Sequence, residues 1–252
     1  MNSALRTAFA FILTLAFAQA ASPPIPVVVE LFTSEGCSSC PPADLLLSRL
    51  QQAQPISGVQ VIALSEHVDY WNELGWTDPF SSSALTTRQQ RYAHAIHDTD
   101  SYTPQMVVDG TVAFVGSDGR KAIDVITAAA KSAKAKIDLR CASNPPVIQI
   151  RMDSVSAPDA DVVLAITENG LQSKVGGGEN RGRLMEHSSV TRRMTNVGRS
   201  KKGQGLAIEK SLVVEKSWKR ENVSAVVFLQ DRANFRILSA AQIPLSGCPA
   251  KF

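Results

Sequence analysis

Pro26-Val27-Val28-Val29-Glu30-Leu31-Phe32, then Thr33-Ser34-Glu35-Gly36, then Cys37-Ser38-Ser39-Cys40, then Pro41-Pro42-Ala43-Asp44-Leu45-Leu46-Leu47 form one unbroken run. The first segment is almost continuously apolar, the pattern of a strand buried on both faces. The last has helical character, with Leu45, Leu46, Leu47 and Leu50 as its apolar positions. Pro41 and Pro42 have no N–H to donate and therefore belong in the first helical turn. Two thiols two residues apart, at a strand-to-helix turn, can close a small reversible disulfide. Backbone N–H groups and the positive helix end favour thiolate at Cys37, the nucleophile, and Cys40 resolves the mixed disulfide. Glu35 opposes this, because a nearby anion raises a thiol pKa. The competing reading is a structural disulfide or half of a zinc site.

The chain has 252 residues and a formal charge of +3. Residues 1–20 read as a secretory signal peptide: Arg6 is the basic element, Ala8–Phe17 the apolar stretch and Ala18-Gln19-Ala20 the cleavage site. Removal of that leader leaves about 230 residues and a charge too small to argue for nucleic acid or an anionic membrane. No other segment is apolar for long enough to span a bilayer, so no membrane partner is expected after cleavage. Export favours disulfides. Four cysteines allow three pairings, and the preferred one is Cys37–Cys40 with Cys141–Cys248 as a structural disulfide near the C-terminus.

Strand and helix signals alternate from residue 25 to about 138, which fits an α/β domain with a mixed sheet. Val59–Ser65 reads as a second buried strand, Ala84–His97 as a helix, and Lys121–Lys136 as a closing helix. Asp109-Gly110 between two short strands is a hairpin signal. Beyond Ile137 the segments Val147–Met152, Val162–Glu168, Arg183–Met194, Ala207–Val214, Val223–Leu229 and Ile237–Ile243 predict an antiparallel sandwich of roughly seven strands. The Gly176–Gly182 loop reads as mobile, and His187 as an ordinary strand histidine. The second half carries no catalytic set; partner binding or stabilisation is its expected role.

The 66–100 segment follows a buried strand whose carboxyl end should face the site. His67 and Asp69 are acid–base candidates there, with Asp69 preferred, and Tyr70 and Trp71 could shape a substrate surface. Cys37/Cys40 and His94/His97 each have zinc-like internal spacing, and two thiolates also suit Cu(I). Oxidation of an exported dithiol abolishes either site, so neither metal nor cofactor is expected.

Tyr102-Thr103-Pro104-Gln105-Met106-Val107-Val108-Asp109-Gly110, taken with the Cys37–Cys40 turn, resembles the thioredoxin superfamily. In that superfamily a cis proline faces the two cysteines. The resemblance implies that Thr103 and Pro104, with Pro104 cis, align a substrate chain. The Glu30–Asp44 stretch, with its EGCSSCPPAD core, resembles the signature of a secreted bacterial family labelled a domain of unknown function. That likeness extends to Gly178-Glu179-Asn180 and Phe228-Leu229-Gln230. Ser-Ser replaces the usual Gly-Pro between the cysteines, and Leu31 stands where many thioredoxins place a buried acid. Glu30 is one residue away, on the opposite face of a regular strand.

The resulting expectation has four parts. Residues 22–138 form a thioredoxin-like α/β domain with a helical insert at 66–100. Residues 139–252 form an all-β sandwich-like domain. The protein is a thiol–disulfide oxidoreductase of protein thiols and disulfides, secreted and expected in the bacterial periplasm. The alternatives are a non-catalytic binding or assembly protein and, below it, a metal-handling protein.

Overall fold

β1 (Ile25–Thr33), α1 (Pro41–Ala53) and β2 (Val59–His67) form a parallel βαβ unit, with Val27 opposite Val61 and Thr33 opposite His67. The structure, a computed structural model, describes residues 23–96, 100–142, 146–153 and 159–248. The leader at 1–20 and His97 lie outside them. Both faces of β1 and β2 are buried, as their apolar runs require. Val27, Val29 and Leu31 pack against Ala43, Leu47 and Leu50 of α1. α2 (Ser83–Ile96) covers the other face, where Tyr92 meets Phe32.

β3 (Gln105–Val108) and β4 (Val112–Val115) pair as a hairpin beside β1. Its turn needs two consecutive left-handed residues, and Asp109 (φ 45°) and Gly110 (φ 66°) supply them. A Cβ on Gly110 would strike the Phe235 carbonyl. α3 (Gly119–Ala129) is capped by Asp118, which accepts the Lys121 N–H at 2.9 Å. It joins α1 on the same face through Ala122 and Ile126.

The second half contains β5 (Asp138–Cys141), β6 (Val147–Met152), β7 (Ala160–Glu168), β8 (Leu171–Lys174), β9 (Leu184–His187), β10 (Val190–Ser200), β11 (Leu206–Ser211), β12 (Val223–Asp231) and β13 (Ile237–Pro244). Four of these strands extend the first sheet, giving the order β13-β12-β7-β10-β2-β1-β3-β4. The joint is narrow: Val190 of β10 pairs with Ser65 of β2, and the Ser65 N–H donates to the Ser189 carbonyl at 2.8 Å. β11-β6-β5 form a second layer over β7 and β12, burying Ile148, Ile150, Val162, Leu164, Val227 and Leu229. β8 and β9 form a separate two-stranded ribbon.

This corrects the expected fold class. The chain is not a thioredoxin-like α/β domain with a helical insert followed by its own β-sandwich. It is mostly β, built on one mixed eight-stranded sheet shared by both halves. The physical reason is the face of β1 and β2 turned away from α1. Val28, Ile62 and Leu64 are buried there against Val163, Ala165, Val226 and Phe228 of the second half, while β10 meets β2 only at Val190 and Ser65. Nor is α2 an appended insert, since it covers the sheet face opposite α1 and α3. The Cys141–Cys248 disulfide links β5 to the chain just beyond β13.

Candidate dithiol site

β1 ends on a tight turn that carries both cysteines into α1. The Cys37 N–H donates to the Ser34 carbonyl at 3.2 Å, and the Cys40 N–H to the Cys37 carbonyl at 3.2 Å. Cys40 is the N-cap of α1, and Pro41 and Pro42 occupy the first turn where no N–H is needed. Cys37 and Cys40 are joined as a disulfide with Cα atoms 5.4 Å apart. Ser38 and Ser39 are exposed, yet Cys37 and Cys40 are each 0% exposed. The sulfurs therefore face inward, and the Ser39 hydroxyl lies 3.4 Å from the Cys37 sulfur.

Thr103-Pro104 is a cis peptide. Two contacts bring it to the dithiol. A Cβ on Gly116 would meet Leu31, Ala43 of α1 and Pro104 together. Trp71 packs beside Gly36, and its indole N–H donates to the Thr103 hydroxyl at 2.8 Å. Trp71 thus bridges the residue before Cys37 and the residue before Pro104.

Beneath the turn lies a buried ionisable cluster. The Glu35 carboxylate accepts from Ser173 of β8, from His187 of β9 at 2.9 Å and from the Trp76 indole at 2.7 Å. Burial pushes its pKa up, but the hydrogen bonds from His187, Ser173 and Trp76 outweigh that and hold it below the usual value. His67 donates from Nδ1 to Asp78 at 2.7 Å, and Asp78 also accepts the Glu35 N–H at 2.9 Å. Burial alone would lower His67 and raise Asp78. Their mutual attraction wins and shifts each the other way, His67 up and Asp78 down. The two imidazoles meet edge to face at 4.9 Å. Asp44, one turn along α1 from Cys40, has its carboxyl raised by burial, with the two histidines offsetting part of that. The Thr33 hydroxyl lies beside the Asp44 carboxyl in the core, and His67 Nε2 and His187 Nδ1 are buried without a hydrogen-bond partner.

A strap from the second half closes the site. It spans Val175–Arg183 between β8 and β9, and its ends are tied by Val175 N–H to the Arg183 carbonyl at 3.0 Å. Asn180 is fully buried and donates to the carbonyls of Glu35 at 2.9 Å and Cys37 at 2.8 Å. The Glu179 carboxylate accepts the Ser38 N–H at 2.9 Å. The glycines have a steric reason: side chains at Gly176 and Gly177 would collide with Trp76 and with the Gly75 carbonyl.

The sequence candidates thus separate. Cys37, Cys40, Thr103, Pro104 and Trp71 come together at one place, with His67 in the cluster below. Asp69 points elsewhere: its carboxylate accepts from Thr86 of α2 at 2.5 Å. Glu30 lies on the other sheet face, paired with Arg88. His94 is exposed on the last turn of α2. Among the described residues no group of three histidine, cysteine or acidic side chains is placed to hold a metal ion. Sequence reasoning missed Asp44, Glu179, Asn180 and His187. The three successive glycines were the available signal, since such a run fits close backbone packing as well as mobility.

The chain belongs to the family described as "Protein of unknown function (DUF1223)", whose pattern matches residues 28–230. No curated protein matches it. The crystal structure of protein AGR_C_4864 from Agrobacterium tumefaciens is similar, at 26% identity and a TM-score of 0.72, covering 92% of this chain and 100% of that one. HBP35 of Porphyromonas gingivalis shares the fold at 14% identity and a TM-score of 0.59, over 91% of this chain and 78% of that one.

Proposed function

We propose that this protein is an exported thiol–disulfide oxidoreductase and that its likeness to the thioredoxin superfamily is confined to the dithiol site. The observation that carries this reading is the Cys37–Cys40 disulfide at the N-terminus of α1, linked through Trp71 to the Thr103-Pro104 cis peptide. In the reduced protein, the Cys37 thiolate attacks a sulfur of a substrate disulfide. A Cys37–substrate S–S bond forms, and the second substrate sulfur leaves as a thiolate and takes a proton. Cys40 then gives up its proton and attacks Cys37. The Cys37–Cys40 bond forms, and the first substrate sulfur leaves. Two electrons pass to the substrate, and the reverse sequence oxidises a substrate dithiol. Asp44 shares a helix face with Cys40 and is the proton acceptor we assign, with His67 beside it.

In this reading, Cys37→Ser abolishes turnover in insulin reduction or oxidative refolding, and Cys40→Ser accumulates mixed disulfides. Full turnover by Cys37→Ser would end the proposal. The complete burial of both cysteines favours a second reading, a binding protein with a structural disulfide. A reduction potential below about −300 mV together with an inert Cys37 would support that one.

A further inference from the structure

The dithiol has a puzzle attached to it. Exchange requires one sulfur to reach another, yet neither Cys37 nor Cys40 is exposed at all. The strap is hydrogen-bonded to the backbone of the turn that holds them. Asn180 is anchored on the Glu35 and Cys37 carbonyls, and a Cβ added to Gly178 would come within 3.8 Å of the Gly36 Cα. The closed arrangement is also imperfect, because Asn180 Oδ1 is buried without a partner. A buried unsatisfied oxygen disfavours the state that contains it. That unmet oxygen offsets part of what the Asn180 and Glu179 hydrogen bonds contribute to closure.

Glu179 adds an electrostatic element. Few N–H groups are free to stabilise a Cys37 thiolate. Pro41 and Pro42 have none, and the Cys40 N–H is directed to the Cys37 carbonyl. The Ser38 N–H is adjacent to Cys37, and the Glu179 carboxylate occupies it. That removes one stabilising donor and sets a negative charge beside the turn. Both effects oppose thiolate formation. Strap release uncovers the sulfur and frees the donor in the same movement.

We propose that Glu179 and Asn180 are positioning residues of the dithiol site, and that the Val175–Arg183 strap holds Cys37 unreactive until it is displaced. This rests on the oxidoreductase reading and assigns that site its regulation. The other ionisable groups around the turn are Glu35 and Asp78, His67 on β2, Asp44 on α1 and His187 on β9.

The test uses the full chain with Cys40→Ser, which leaves Cys37 as a single thiol beside the Cys141–Cys248 disulfide. Alkylation by iodoacetamide is followed against pH, alone and with Asn180→Ala or Glu179→Gln added. Asn180→Ala is expected to raise the plateau rate about tenfold, the size of one or two lost hydrogen bonds. Glu179→Gln, at an exposed position, is expected to lower the pH midpoint by about half a unit, a shift that a purely structural role would not produce. A bulky maleimide should gain more from Asn180→Ala than iodoacetamide does. Equal rates and midpoints in all three proteins, with Cys37 reactive, would overturn the strap assignment and leave the dithiol reading standing. An inert Cys37 in all three would overturn both. Thermal unfolding of each variant checks that the comparison is between folded proteins.

Discussion

Glu66 and His67 are consecutive in β2 and face opposite sides of the sheet. Each anchors a buried charge cluster, and the two clusters differ in kind. On the α2 face, Arg88 bonds Glu30 at 2.6 Å, the Tyr92 hydroxyl at 2.8 Å and Gln230 at 3.0 Å, with Glu66 at 3.5 Å. Burial and the neighbouring Glu30 push Glu66 well above its usual pKa. The Arg88 guanidinium keeps its charge throughout the working pH range. On the α1 face the basic groups are imidazoles, and Asp78 holds His67 above its usual pKa against the effect of burial. His67 Nε2 and His187 Nδ1 are buried without hydrogen-bond partners there, as both Glu66 oxygens are on the other face. One face locks four elements together with a permanent charge. The other gathers His67, His187, Glu35, Asp78 and Asp44 beneath a disulfide.

The largest effect should come from the locked face. Arg88→Met strands two carboxyls in the core, and the expected cost is about 3–5 kcal/mol, read by denaturant unfolding. If that variant unfolded at the wild-type denaturant concentration, Arg88 would not be the keystone of its cluster. Next, Asp78→Asn takes the charge from the one oxygen that accepts from both His67 Nδ1 and the Glu35 N–H, for an expected loss of about 1.5–3 kcal/mol.

The pH dependence of Asp78→Asn sharpens the comparison. His67 is raised in the fold, so its contribution is complete below the ordinary imidazole pKa and fades as pH rises through the raised value. Asp78 is lowered, so its contribution is present above the ordinary carboxyl pKa and is lost as pH falls through the lowered value. The variant should lose both slopes in unfolding measured from acid to mildly alkaline pH. Asp44→Asn should have the smallest effect and the opposite sign. Asp44 is raised, so its ionisation on the way to neutral pH works against the fold. Its replacement should raise stability at neutral pH, read by denaturant unfolding, and slow the resolving step. A destabilised Asp44→Asn protein would show that the carboxyl has a structural partner.

Several elements were legible because their signals are local. The Asp109-Gly110 turn, the cysteine-bearing turn and the start of α1 follow from the φ preferences and missing donors of the residues themselves. Errors arose where tertiary contacts override such signals. The Ala-rich segment reads as helix to Lys136, yet α3 stops at Ala129, and Lys134 instead bonds Asp109 at 2.6 Å. Arg183–Met194 reads as one strand. Ser189, at φ 54°, breaks it, sending β9 to the ribbon beside the dithiol and β10 to the main sheet. β5 and β8, four residues each, are too short for periodicity to reveal.

The sequence alone determined that a dithiol sits at a strand-to-helix turn, since that follows from neighbouring residues and their backbone limits. It also located the proline later found cis at Thr103-Pro104. Only the tertiary structure decided that β10 joins β2 at Val190 and Ser65, that Glu179 and Asn180 bond the turn at Ser38 and Cys37, and that His187 reaches Glu35 from 152 residues away. Those pairings join segments far apart in the chain. Hydrophobic periodicity says that a strand has a face to bury and an edge to cover, but carries no information about which distant segment will cover it.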